Sequence, residues 1–299
     1  MPRLAFPAIL AVACTVGPVA AAAEAPLAVR DALDRAVILP APPQRIVTIF
    51  ASNTEMVAAL GLGDRIVGIE AFTRYPPEVS NKPLVGGRLG FSVDAVVGLR
   101  PDLVVVTPAR QAVSQLLDPM ERLGVPVLVL LQRSVAEIFA NIRLLGRVAG
   151  VPEAGEALAG RLEARLAGIT QRVRTLKPPR VLLITGRLGN GLLLMARPRT
   201  YTGDALELAG GRFAFERSGA IAQVSPEAIL DADPDVLLYA GSAAERDELI
   251  ARPGWNEMRA VKTGRVHTVS RAELLIPGPR IVDGIVHLAA LLHPMASPQ

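Results

Sequence analysis

Only Lys82, Lys177 and Lys262 among the 32 basic side chains are lysine; the other 29 are arginine. Codon usage can produce such a bias. So can a need to hold anions, because the planar guanidinium fork pairs bidentately with carboxylates and chelating oxygens. Other reactive groups are sparse. His267, His287 and His293 are the whole histidine complement, and none precedes residue 267. A bare zinc or manganese ion would need several histidine or carboxylate ligands spread along the chain. His287 and His293 are six apart, not the three or four that bring two ligands onto one helical face. Cys14 is the sole cysteine, which excludes a disulfide framework and a cysteine-built metal site. There is no Gly-x-Ser-x-Gly, no phosphate-binding loop and no nucleophile–base–acid set. The glycine-rich run Gly186-Arg187-Leu188-Gly189-Asn190-Gly191 departs from the dinucleotide pattern. No residue set for a catalytic reaction emerges from these types and spacings, and an exported enzyme is a distant alternative that turnover of a bound molecule would support. A net charge of +4 is too small for an electrostatically driven nucleic-acid binder of this size.

The elements that must position these side chains alternate. Residues 44–50, 66–69, 103–106 and 125–130 are short continuous apolar runs. Helical segments lie between them, one from Ser52 to about Leu60 and one from Gln111 to Leu123. Such strands, alternating with helices, specify parallel sheet covered on both faces. Ser52 with Glu55, and Ser134 with Glu137, have the spacing of capping boxes. A further helix opens at Pro152, a favoured first helical position. It carries Leu158, Leu162, Leu166, Ile169, Val173 and Leu176 as one continuous stripe and stops at Lys177-Pro178-Pro179. The alternation then restarts, with strands at 180–185, 235–240 and 265–269. Helices are expected near 202–209, 226–231, 244–250 and 279–292.

The restart is a repeat. Ser92-Val93-Asp94-Ala95 followed by Pro101-Asp102-Leu103-Val104 aligns without gaps, 133 residues on, with Ser225-Pro226-Glu227-Ala228 followed by Pro234-Asp235-Val236-Leu237. Each copy is a serine-capped helix with an acid in its first turn, a Pro-Asp turn, and a buried strand. Two α/β lobes, each Rossmann-like with a central parallel sheet, joined by a single long rigid α-helix, is the economical architecture. Residues 1–23 read as a secretory signal: Arg3, then the apolar Leu4–Val16, then Gly17-Pro18 before a small-residue cleavage site, so the mature chain starts near Glu24. Lipid attachment at Cys14 is the rival reading. The resulting division is 24–132 for the N-terminal lobe, 133–177 for the linker region and 178–299 for the C-terminal lobe.

With Arg45-Ile46-Val47-Thr48-Ile49, Asn53-Thr54-Glu55, Tyr75-Pro76-Pro77, both Pro-Asp repeats, the bridging helix and Pro277-Gly278-Pro279-Arg280 in this order, the chain resembles the periplasmic substrate-binding proteins of ABC importers for ferric siderophores, cobalamin and haem. The resemblance covers about residues 43–295. It implies a periplasmic protein with a cleft between lobes, small closure on ligand, and partners in a permease dimer with its cytoplasmic ATPase. It also implies that an acid on each lobe docks into permease arginines. Those positions fall on Asp94 and Glu227, whose other reading is helix-dipole stabilisation.

Ligands of such folds lie beyond the carboxyl ends of the parallel strands. That places Phe72, Arg74, Tyr75, Arg88, Thr107 and Arg110 on the cleft from the first lobe, and Arg187, Tyr201 and Arg271 from the second. Cobalamin-binding relatives carry tryptophans there, whereas this chain has only Trp255 and is read as lacking aromatic faces. Arg88 and Thr107 stand where such relatives have aromatics, and Arg271 stands in place of an acid. The expected cargo is therefore an anionic metal chelate, first of all a ferric siderophore, with cobalamin or haem as the alternative. No catalytic cofactor or resident metal is expected.

Overall fold

The computed structural model describes residues 26–87, 90–107, 113–215 and 223–294. The signal segment, Cys14, Arg88 and Arg110 lie outside the described residues.

An antiparallel hairpin opens the chain, β1 (Leu27–Arg30) with β2 (Ala36–Leu39). The first lobe follows: β3 (Ile46–Thr48), α1 (Ala51–Val57), β4 (Ile66–Glu70), β5 (Leu84–Gly87), β6 (Gly90–Phe91), α2 (Val93–Gly98), β7 (Leu103–Val106), α3 (Asp118–Arg122) and β8 (Val127–Val129). Its sheet has the order β6-β5-β4-β3-β7-β8, parallel except for the β5–β6 edge pair. The segment expected as one helix from Gln111 is interrupted. A π-helical turn, Val113–Leu117, precedes α3, and Pro119 stands in the first turn of α3, where its missing N–H costs nothing.

Two helices then run back to back, α4 (Val135–Val148) and α5 (Pro152–Val173). At 1.5 Å per residue, the 22 residues of α5 span about 33 Å, enough to reach from one lobe to the other. The second lobe comprises β9 (Arg180–Arg187), β10 (Leu193–Met195), α6 (Tyr201–Leu208), β11 (Arg212–Phe213), β12 (Gln223–Val224), α7 (Pro226–Ala232), β13 (Val236–Ala240), α8 (Ala243–Ile250), α9 (Arg259–Lys262), β14 (Val266–Val269), α10 (Arg271–Leu274) and α11 (Ile281–Leu292). This sheet is mixed. β9, β13 and β14 are parallel, but β10 and β12 form an antiparallel edge. The run Gly186–Gly191 is the turn of the β9–β10 hairpin, closed by the Leu188 N–H on the Leu192 carbonyl, with Gly191 at φ 85°.

The repeat is visible as chemistry. Ser92 and Ser225 each accept the backbone N–H three residues on, at 3.1 and 3.2 Å. In each Pro-Asp turn the carboxylate holds the start of the neighbouring strand: Asp102 accepts the N–H groups of Gln44 and Arg45, and Asp235 accepts that of Arg180. Arg45 and Arg180 in turn cap the helix carbonyls of Leu99 and Arg100, and of Ala232 and Asp233. One apolar cluster runs through the molecule, from Ile46 and Leu103 of the first sheet, through Ile169 of α5, to Val181, Val236 and Leu288 of the second lobe.

Candidate functional site

Beyond the carboxyl ends of β3, β4, β7 and β8 lies a cavity of about 500 Å³, closed from the second lobe by Leu275, Ile276 and Pro277. Phe50, directly after β3, takes φ 76°, a conformation that non-glycine side chains avoid, and lines the cavity wall. Phe91 meets it edge to face, with ring centroids 6.2 Å apart. Phe72 completes an aromatic wall and remains 61% exposed. The expectation that the chain lacks aromatic faces is thus overturned, because the fold gathers three phenylalanines scattered through the first lobe.

The polar part of the wall is short. Glu70, buried at the end of β4, accepts the Phe72 N–H at 2.9 Å and the Thr73 hydroxyl at 3.2 Å. Thr107 follows β7 and Gln132 follows β8; both line the cavity and join Asn53 of α1 in a hydrogen-bonded ring. Among the described lining residues none is basic, and Glu70 carries the only charge. None is a histidine, cysteine, methionine or tyrosine that could ligate a metal axially, and no metal-holding cluster occurs among the described residues.

Of the side chains expected on the cleft, the structure places Phe72 and Thr107 on the cavity wall. Tyr201 stands behind it: its hydroxyl donates to the Leu275 carbonyl at 2.9 Å, and burial pushes its phenol up to about 12. The arginines of the described residues face other partners. Arg74 donates to the carbonyls of Ala71 and Thr73. Arg271 donates to those of Thr185 and Ala240, tying β9 to β13. Arg187 forms a two-pronged pair with Glu248 at 2.8 and 2.9 Å. Phe50, Phe91, Glu70 and Gln132 were not picked out from the sequence. The signal available was their position, each being at or just beyond the end of a strand.

Beside the cavity the lobes are pinned together. Glu55 is not the capping residue its spacing with Ser52 suggests. Helix α1 begins at Ala51 with Phe50 in the cap position, so Ser52 and Glu55 lie within the helix. Glu55, 2% exposed, instead receives Arg280 from the second lobe, Nε at 3.0 Å and Nη2 at 2.5 Å. Burial pushes the Glu55 carboxyl up, while the guanidinium pulls against that rise. Arg280 also lies 3.9 Å above the Tyr75 ring centre, a cation–π contact. Asp94 and Glu227 are exposed, each at the second position of its serine-capped helix. Hydrogen bonds from its own backbone N–H and from the Ser225 hydroxyl hold the Glu227 carboxyl below the usual range.

Among the described residues, no helix is long and apolar enough to cross a membrane. The family described as "Periplasmic binding protein" matches residues 46–272. The uncharacterized ABC transporter substrate-binding lipoprotein YvrC of Bacillus subtilis is 28% identical over 277 residues, 90% of this chain and 86% of its own. The cobalamin-binding protein of Halobacterium salinarum is 30% identical over 283 residues, 90% of this chain and 74% of its own. Among solved structures, a periplasmic heme binding protein from Pseudomonas aeruginosa matches with a TM-score of 0.76 at 30% identity, over 86% of this chain and 95% of that one.

Proposed function

Because this chain belongs to the periplasmic binding protein family, as the substrate-binding component of an ABC importer, we propose that its cargo is a neutral corrinoid of the cobalamin type. The observation that carries this reading is the cavity wall: three phenylalanines, the Leu275–Pro277 loop, one carboxylate and, among the described lining residues, no cation. A large chelate with apolar faces and amide side chains suits such a wall. An anionic siderophore would lie against Glu70, and no described lining residue offers it a guanidinium. A haem whose iron needs an axial side chain finds no donor among those residues, whereas cobalt in a corrinoid is already held by its own ring. The name of the Halobacterium salinarum relative points the same way.

Phe72 contacts the cargo in this reading, Thr107 holds the polar wall beside it through Asn53 and Gln132, and Tyr201 fixes the loop that covers it. Asp94 and Glu227 present one carboxylate per lobe to a permease dimer. Of the arginines expected on the cleft, the described ones, Arg74, Arg187 and Arg271, bond within the lobes.

Isothermal titration calorimetry with cyanocobalamin tests the cargo. Saturable one-to-one binding is expected, with a Kd that changes less than about twofold between 0.05 and 0.5 M salt, since no ion pair forms. Absence of heat with cyanocobalamin, together with salt-sensitive binding of a ferric siderophore, would overturn the reading in favour of an anionic chelate.

A further inference from the structure

The ring beneath the cavity has a defined direction. The Ile49 carbonyl can only accept, so the group 2.6 Å from it must be the Asn53 amide nitrogen. That nitrogen also donates to Thr107 Oγ1 at 3.2 Å, and the Thr107 hydroxyl therefore donates onward to Gln132 Oε1 at 3.1 Å. Gln132 Nε2 closes the ring on Asn53 Oδ1 at 3.0 Å. Both amide hydrogens of Asn53 and the hydroxyl hydrogen of Thr107 are engaged. Gln132 keeps one N–H on Nε2 and one lone pair on Oε1 outside the ring. Asn53 is 0% exposed and Gln132 6%, so the ring is set before any ligand arrives.

We infer that Gln132, oriented by Thr107 and Asn53, is a specificity-determining subsite that reads a carboxamide side chain of the cargo. The inference rests on the corrinoid reading and names the group recognised within it. A primary carboxamide can accept from the free N–H or donate to the free lone pair. A carboxylate offers acceptors alone, and it would meet both the Gln132 oxygen and the Glu70 carboxylate, which shares the same wall. Asn53 and Thr107 are positioning residues here, and Gln132 makes the contact.

The test titrates cyanocobalamin and its monocarboxylic acids, in which one side-chain amide is hydrolysed, into the wild-type protein and its variants. Wild type is expected to bind cyanocobalamin about tenfold or more tightly than at least one of the acids. Gln132→Leu should weaken cyanocobalamin about tenfold and reduce that preference to the part Glu70 supplies, because a leucine tells the two apart by neither donor nor acceptor. Thr107→Val, which removes the anchor of Gln132, should act in the same direction, and Thr107→Ser should restore the wild-type preference. Thr107→Val also carries the test if Gln132→Leu does not fold, as judged by thermal unfolding. Equal binding of cyanocobalamin and all its monoacids by wild type, or a preference unchanged in a folded Gln132→Leu, overturns the subsite and leaves the corrinoid reading standing. Failure of wild type to bind cyanocobalamin overturns both.

Discussion

Glu55 and Arg280 show what a single pair contributes when one partner is buried. The carboxylate loses water on folding, and the two guanidinium bonds, with the Tyr75 ring below, replace it. Removing the cation alone leaves an uncompensated buried charge, which costs about 3–5 kcal/mol when the pair is fully enclosed. Arg280 is 21% exposed, so Arg280→Met is expected near the lower end, about 3 kcal/mol by denaturant unfolding. The pH dependence has a fixed sign. A carboxyl whose folded pKa lies above its unfolded value binds its proton more tightly in the native state. Stability therefore increases as pH falls through the folded pKa and is lost as pH rises above it. Arg280→Met should recover stability as pH falls from the raised folded pKa towards the unfolded carboxyl value of about 4.3, more steeply than wild type; a flat profile would mean that the variant hydrates Glu55. None of this was legible locally. Ser52-x-x-Glu55 has the same spacing as Ser242-x-x-Glu245, which does form a full capping box at α8. What separates them is the left-handed Phe50, which moves the helix start forward, and a partner 225 residues away. Ser134 and Glu137 fall between: the serine caps, but the carboxylate turns to the Arg133 N–H.

At the scale of elements, α4 and α5 pack with glycine against glycine. A Cβ at Gly146 would lie 2.8 Å from Gly155 Cα and 3.1 Å from the Val151 carbonyl oxygen. Both obstacles are backbone, so they cannot rotate aside. Gly146→Ala is expected to destabilise by about 1–3 kcal/mol, the range for overpacked interiors, and to lower Tm. An unchanged Tm would show that the helices can part freely. The long helix was legible because its apolar stripe continues for five turns with Pro152 at the start. The short strands β5, β6, β10, β11 and β12 were not. Segments of two to four residues carry no period, and their pairing is decided by neighbours supplied from elsewhere in the chain.

For the whole molecule, the repeat places Asp94 and Glu227 at equivalent corners of two lobes. On the proposed docking of each acid to a permease arginine, Asp94→Arg and Glu227→Arg are each expected to abolish uptake in whole cells while leaving the calorimetric Kd for cargo unchanged, because like charges then oppose one another. Normal transport by both would reduce the acids to helix-end charges. The two-lobe plan could be read from the 133-residue offset. Its third member could not: Arg45 and Arg180 do the same work at a different spacing, so the gap-free alignment passes over them. Likewise the cavity was legible as a location, beyond strand ends, but not as a surface. Phe50, Phe72 and Phe91 become a wall only after three strands are aligned.

The apolar cluster shared by both lobes also orders events in time. Ile169 and Val173 lie at the far end of α5, and Gly210, from the segment after α6, packs against Val173. Leu288 of α11 belongs to the same cluster. A nascent chain that has reached residue 173 therefore carries an amphipathic helix with one end uncovered, and the cluster closes only when α11 has been made. Such a chain cannot complete its core until its last helix is available.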